Sequence, residues 1–171
     1  MVFDVLKWPD PRLLEVAAEV PAVTPAIQRL VQGLFATMRV EGGVGLAATQ
    51  VGMPWRVVVV DCSPRDGEAR ARALINPRIV ERRGTIVWRE GCLSLPGITA
   101  EVERAERIVV EYLDELGQPQ RLETRDLEAV CIQHEVDHLD GRLYVDRLGA
   151  LERRATLLDY EEARRGAVPV L

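Results

Sequence analysis

Both histidines of this 171-residue chain fall in one short stretch, Gln133-His134-Glu135-Val136-Asp137-His138-Leu139-Asp140-Gly141. Four residues apart on a helix, His134 and His138 share a face one turn apart, so two imidazoles can converge on one ion. Glu135, beside the first of them, can reach a water on that ion without binding the ion itself. The residues just upstream, Leu127, Val130, Cys131 and Ile132, read as a buried helix rather than a solvated one. A helix that buries charge and imidazole needs a compensating reason. A metal centre supplies one, and the rest of the chain has to be arranged around it.

Composition narrows the class. With 47% hydrophobic and 29% charged residues, the chain suits a single globular domain over residues 1–171, with a flexible tail from about residue 166. No apolar run of about 18 residues is present to span a membrane, so no membrane partner is expected. The start, Met1-Val2-Phe3-Asp4-Val5-Leu6-Lys7, carries an acid and no apolar signal core, which makes the cytoplasm the expected location. A net charge of -5 lacks the basic footprint of a dedicated DNA-binding protein. Three cysteines, Cys62, Cys92 and Cys131, are an odd number at unrelated spacings. That argues against a disulfide framework and leaves room for a thiolate ligand.

Along the chain, Trp8-Pro9-Asp10-Pro11 is a turn signal before a short helix expected from Arg12 to Ala18. Thr24-Pro25 then has the form of an N-cap and first turn. Ile27, Leu30, Val31, Leu34, Phe35 and Met38 continue it as an amphipathic helix to about Val40. Glu41 to Gly52 crowds glycines and small residues and reads either as a tight connection or as a place where a ligand meets backbone. It ends in no Gly-Lys-Ser/Thr, so it is not a phosphate loop. Arg56–Asp61 is an apolar strand; Ala73–Pro77 and Arg78–Glu81 read as strand pieces separated by Pro77, and Thr85–Trp88 as another. Arg107–Asp114 and Pro119–Thr124 form a hairpin, the histidine helix runs from Thr124 or Arg125 to Gly141, and a last helix covers Ala150 to Arg165. Strands without intervening helices predict antiparallel pairing.

Two histidines leave a catalytic site one protein ligand short. Glu161 or Glu162 on the last helix fits by spacing alone. A third histidine at a protease-like spacing is absent, since that position is Tyr144. Cys131 lies about 7.5 Å along the axis from the level of the ion, with a short side chain tilted the other way, so it should pack or line a pocket. Cys62 follows an apolar strand and reads as a buried cysteine. Cys92 sits between a glycine and the turn Leu93-Ser94-Leu95-Pro96-Gly97, where a thiolate can be presented beside free backbone N–H groups.

Three separated stretches, Gly43–Gln50, Glu90-Gly91-Cys92-Leu93-Ser94 and Gln133–Leu139, together resemble the three signature motifs of the peptide deformylases. Order and spacing agree, Trp8–Leu13 resembles the family's usual beginning, and the compact length with a C-terminal helix resembles the bacterial type 1 subgroup. The resemblance implies an α+β fold, with antiparallel sheets packed around a central metal-binding helix and an additional C-terminal helix. It implies a metal-dependent amide hydrolase that removes the formyl group from the formyl-methionine of newly made polypeptides and releases formate. Carried over by position, Cys92, His134 and His138 hold the metal, Glu135 is the general acid/base, and Gln50 with the Leu93 N–H stabilises the oxyanion. One divalent ion is implied, Fe(II) in the cell with zinc or nickel able to occupy the site, where ligand chemistry alone suggests zinc.

The resemblance also gives the glycine-rich stretch a purpose, with Gly45 letting backbone approach the peptide and Val44 touching the methionine. Trp88, Glu90, Leu127, Val130 and Cys131 complete the expected substrate-binding set. Glu90, Arg104 and Asp137 are expected to form a buried network that fixes the Cys92 loop against the helix. Two departures stand out: Thr99 replaces an arginine found in some bacterial members, and Gly42 replaces an acidic or proline residue. The competing readings are a zinc peptidase using a late glutamate and a non-catalytic metal-holding module. The arginines Arg153, Arg154, Arg164 and Arg165 leave ribosome docking through the last helix open as a further role.

Overall fold

The computed structural model describes residues 1–64 and 66–166. The expected tail, beyond Gly166, lies outside them. A five-stranded antiparallel sheet has the order β1-β2-β3-β6-β7, formed by Gly45–Ala47, Val57–Asp61, Ala71–Arg83, Arg107–Leu113 and Pro119–Arg125. A separate two-stranded sheet pairs β4 (Ile86–Cys92) with β5 (Leu95–Arg104). Helices α1 (Pro25–Glu41), α2 (Asp126–Leu139) and α3 (Ala150–Gly166) pack on these sheets. This is the α+β arrangement with α2 at its centre. No helix among the described residues is long and apolar enough to cross a membrane.

The apolar run Val57-Val58-Val59-Val60 is explained by cover on both faces of β2. Val57 and Val59 face Leu30, Leu34 and Met38 of α1, while Val58 and Val60 face Ala129, Ile132 and Val136 of α2. Thr24 caps α1 as expected, its Oγ1 accepting from the Ile27 N–H at 3.4 Å, and Gly42 closes it at φ 71°. The departure at Gly42 thus has a structural use, because a left-handed cap favours glycine. Helix α2 is buried from Glu128 through Leu139. It stops at Leu139, two residues before Gly141, where φ is 72° and the Leu14 carbonyl oxygen lies 2.4 Å from where a Cβ would sit.

Three expectations change. The helix expected over Arg12–Ala18 is only a 3-10 turn, Pro11–Leu14. The backbone after it is drawn out to bond elsewhere, Ala17 N–H to the Leu139 carbonyl at 2.8 Å and Ala18 N–H to the Pro54 carbonyl at 2.9 Å. The two pieces around Pro77 are one strand, β3. Its register shifts between Ile75 and Arg78, and Asn76 adopts φ 51° while its side chain bonds both backbone groups of Val20. A bulge accommodates a proline that cannot donate to the ladder. Strand β5 had no counterpart in the sequence reading, because its inward residues, Leu95, Ala100, Val102 and Arg104, include a charge and a small side chain. Helix α3 packs through Leu157 and Tyr160, with the Tyr160 hydroxyl donating to the Trp8 carbonyl at 3.0 Å. Leu151, 87% exposed, takes no part in that packing.

Candidate metal centre and its cleft

Three elements meet at the centre. Helix α2 carries His134 and His138, β4 ends at Cys92, and the 3-10 turn Ala48–Val51 carries Gln50. His138 Nε2 lies 3.3 Å from His134 Nε2 and 3.4 Å from Cys92 Sγ, and the three ligand atoms lie within 4.8 Å of one another. Cys92 is presented by a tight hairpin in which it pairs with Leu95, leaving Leu93 and Ser94 as the turn. The backbone N–H of Ser94 donates to Sγ at 3.4 Å, within the geometry of a thiolate acceptor.

The donor set fits a divalent transition metal. His134 Nδ1 lies 2.7 Å from Glu90 Oε1, which holds the proton on Nδ1 and turns the lone pair of Nε2 inward. Sulfur and nitrogen lone pairs facing one another this closely repel unless a proton or a cation lies among them. Burial alone would raise the Cys92 thiol, but the imidazoles, His138 foremost, hold it well below its ordinary value. Burial would likewise lower His134, yet Cys92 and Glu90 hold it well above. Both directions express a dry pocket in which thiolate, carboxylate and imidazole stabilise charge on one another, and two imidazoles with a thiolate suit a borderline-soft cation.

Behind the ligands the expected network is present. Arg104 Nε and Nη2 donate to the two Glu90 oxygens at 2.8 and 2.9 Å, and Nη1 donates to Asp137 at 2.6 Å. Arg147 closes the other side of Asp137 at 2.6 Å. The Arg104 and Glu90 side chains are only 3% and 4% exposed. Burial opposes ionisation of Glu90 and Asp137, but the guanidinium groups outweigh it and keep both carboxyls below their usual range. Glu90 borders the cleft as expected, but both its oxygens are spent on Arg104 and His134. Its place is therefore behind a ligand rather than against a substrate.

In front lies a cavity of about 370 Å³. The expected residues Val44, Gly45, Trp88, Leu127, Val130 and Cys131 all line it, with Glu135, Gln50 and Leu93 at the metal end. Glu135 is 4% exposed, and its Oε2 has no hydrogen-bond partner among the described residues. Burial raises its pKa, against the opposing pull of the two histidines. The orientation of Gln50 is set by the Ala47 N–H, which donates to Oε1 at 3.0 Å. Its amide nitrogen consequently faces the centre, donating to Ser94 Oγ at 3.1 Å and to Cys92 Sγ at 3.5 Å. Gly45 is constrained by close approach, since a Cβ there would lie 2.7 Å from Glu135 Oε1 and 2.8 Å from Cys131 Sγ.

The rejected ligands are elsewhere. Cys131 donates to the Val44 carbonyl at 3.5 Å, Cys62 packs half-buried beside the α2 core, and Glu161 and Glu162 are exposed on α3. The sequence reading missed Ser94 and two further supports. Tyr144 stacks on His134 with ring centroids 6.0 Å apart, and Thr49 Oγ1 donates to the His138 carbonyl at 3.3 Å. Adjacency to Cys92 was a usable signal for Ser94; Tyr144 and Thr49 carried none. Thr99 accepts from Arg89 at 3.2 Å, and that arginine borders the cleft.

The family model for polypeptide deformylase matches residues 2–154. A peptide deformylase of Alkalilimnicola ehrlichii is 48% identical over 170 residues, covering 99% of this chain and 95% of the relative. The crystal structure of a peptide deformylase from Legionella pneumophila superposes with a TM-score of 0.90 at 36% identity, covering 99% of this chain and all of that one (100%). A class I type b peptide deformylase from Acinetobacter baumannii, solved with Met-Ala-Ser bound, has a TM-score of 0.81 at 35% identity and covers 86% and 99% of the two chains.

Proposed function

The chain belongs to the polypeptide deformylase family, and from that premise we propose that it removes the formyl group from formyl-methionyl ends of new polypeptides, releasing formate. The observation that carries the reading is one cleft holding a Cys-His-His donor set, a buried carboxyl with a free oxygen, and an amide nitrogen fixed beside Cys92. Membership makes the protein a metal-dependent hydrolase. We further propose Fe(II) as the working ion, with zinc or nickel able to replace it.

When bound by Cys92, His134 and His138, the ion supplies Lewis acidity that makes a water nucleophilic near neutral pH and polarises a carbonyl. Glu135 takes the proton of the attacking water and later gives it to the departing amine. A carboxyl raised by burial is suited to both tasks. The Gln50 amide and the Leu93 backbone N–H donate to the formyl oxygen as charge develops there. Because Ala47 holds Gln50 in place, little reorganisation is needed at that moment. Strand β1 is an edge strand whose unpaired side borders the cleft, so the peptide can add beside Gly45 as an extra strand. Val44, Trp88, Leu127, Val130 and Cys131 then surround the methionine side chain. Residues 1–171 act in this proposal as one catalytic unit in the cytoplasm.

Formate release from formyl-Met-Ala-Ser by anaerobically prepared protein tests the proposal. Glu135→Gln should lower kcat about a hundred- to ten-thousand-fold while metal content is retained. Cleavage of an unformylated peptide, with activity surviving Cys92→Ala, would overturn it. Ribosome docking through α3 is a separate proposal. Arg153 and Arg164 already contact Asp146 and the Trp8 carbonyl, so the test is loss of ribosome co-sedimentation on truncation after Gly149.

A further inference from the structure

Cys62 has no part in the chemistry above and Cys131 only walls the methionine pocket, yet the two are placed together. The Val44 carbonyl at the cleft mouth accepts from the Asp61 N–H at 2.8 Å and from the Cys131 thiol at 3.5 Å. That shared acceptor draws Cys131, on α2, toward the end of β2, where Cys62 follows Asp61 and packs against the same apolar cluster. By the alternation that turns Val58 and Val60 toward α2, the Cys62 side chain faces α2 as well, against the cluster that holds Cys131. One is half-buried near the surface, and the other lines the cleft. We propose that Cys62 and Cys131 are a peroxide-sensitive pair, in which oxidation of Cys62 is followed by disulfide formation with Cys131 and alters the cleft wall.

Their exposure divides the roles, Cys62 being half-buried and Cys131 buried. The neighbouring Cys131 thiol holds Cys62 below its ordinary value, while Cys62 and burial hold Cys131 well above. Cys62 is accordingly the better thiolate and the more accessible one. Its sulfur attacks a hydroperoxide oxygen, breaking the O–O bond to give the Cys62 sulfenic acid and, from hydrogen peroxide, one water. The Cys131 sulfur then attacks the sulfenic sulfur, the S–O bond breaks, and a second water leaves. Two thiols and one peroxide thus yield one disulfide and two waters. Transient disulfides of this kind suit a reducing compartment. Moving Cys131 Sγ removes its bond to Val44 and changes the packing against Gly45, so the expected effect falls on peptide binding and leaves the metal in place.

The test uses zinc-loaded protein, because zinc has no redox chemistry of its own. After stoichiometric hydrogen peroxide, non-reducing peptide mapping should recover a linked pair of peptides containing Cys62 and Cys131. Intact mass should fall by two hydrogens, and both changes should be reversed by a phosphine reductant. Cys62→Ser should show neither change while keeping basal kcat and KM. In the wild type, KM for formyl-Met-Ala-Ser should rise on oxidation and return on reduction, with zinc content constant. The mapping does not depend on the deformylase reading, so failure of that reading and failure of this one are distinguishable. Oxidation confined to Cys92, a link that includes Cys92, or sulfinic acid at Cys62 without a link would overturn the proposal, as would an unchanged KM in the linked protein.

Discussion

Arg104→Ala isolates what the buried network contributes. The guanidinium makes two hydrogen bonds to Glu90 and one to Asp137, all of 2.9 Å or less. Removing one partner of a buried ion pair costs about 3–5 kcal/mol, because the other charge is left in low dielectric. Asp137 keeps Arg147, so mainly Glu90 is stranded and the lower figure applies. At about 2–4 °C per kcal/mol for a chain of this size, a loss of about 3 kcal/mol lowers Tm by about 6–12 °C. Glu90 also orients His134, and disturbing such a support costs about ten- to a hundredfold in metal affinity. The pH dependence has a definite sign. Glu90 and Asp137 have lowered folded pKa values, so their contribution is present above the unfolded values of about 4 and is lost as pH falls through the folded ones. The Tm gap between wild type and variant should therefore narrow as the pH drops below about 4. Scanning calorimetry across pH and competition with a metal-binding dye provide the measurements. A Tm within about 2 °C of wild type together with unchanged metal affinity would refute the reasoning.

Two further variants separate the site from its scaffold. Gly45→Ala places a Cβ 2.7 Å from Glu135 Oε1, and overpacking of this kind costs about 1–3 kcal/mol. Because the displaced atom belongs to the proposed acid/base, steady-state kinetics should show kcat falling. Tyr160→Phe removes only the hydrogen bond to the Trp8 carbonyl. Denaturant unfolding should show a loss of about 0.5–1.5 kcal/mol, with kcat/KM unchanged.

The metal helix was legible because its signal is local. Two imidazoles four apart and a buried apolar approach need only helical geometry to converge, and that geometry also excluded Cys131. Helix α1 and the β6–β7 hairpin were legible for the same reason, through periodicity, capping and turn residues. Cys92 was different, since local sequence left it competing with Cys62 and two glutamates. Its choice depended on the joint resemblance of three motifs. Strand β5 stayed hidden because its alternation is written partly in Arg104, a charge whose buried partners lie on β4 and α2. The false helix over Arg12–Ala18 failed for a matching reason: Ala17 and Ala18 bond to Leu139 and Pro54, far away in sequence. Such long-range pairings leave no periodicity to read.

Among the described residues the two sheets share no ladder, which has a consequence for how the metal and the fold depend on each other. A two-stranded hairpin is marginal in water on its own. Strands β4 and β5 are held by the apolar cluster with Tyr144, Leu157 and Tyr160, by the Arg104 link to Asp137, and at their tip through Cys92. An ion bound by Cys92 and the two histidines ties that tip directly to α2. Residues 86–104 should therefore lose amide-exchange protection when the metal is chelated, while the buried β2–β3 ladder changes little. If the ion were merely seated in a rigid site, exchange would be the same in both states. If it organised the whole fold, β2 and β3 would loosen along with the hairpin. Only a selective change confined to β4 and β5 matches a metal that joins one sheet to the helix of the other.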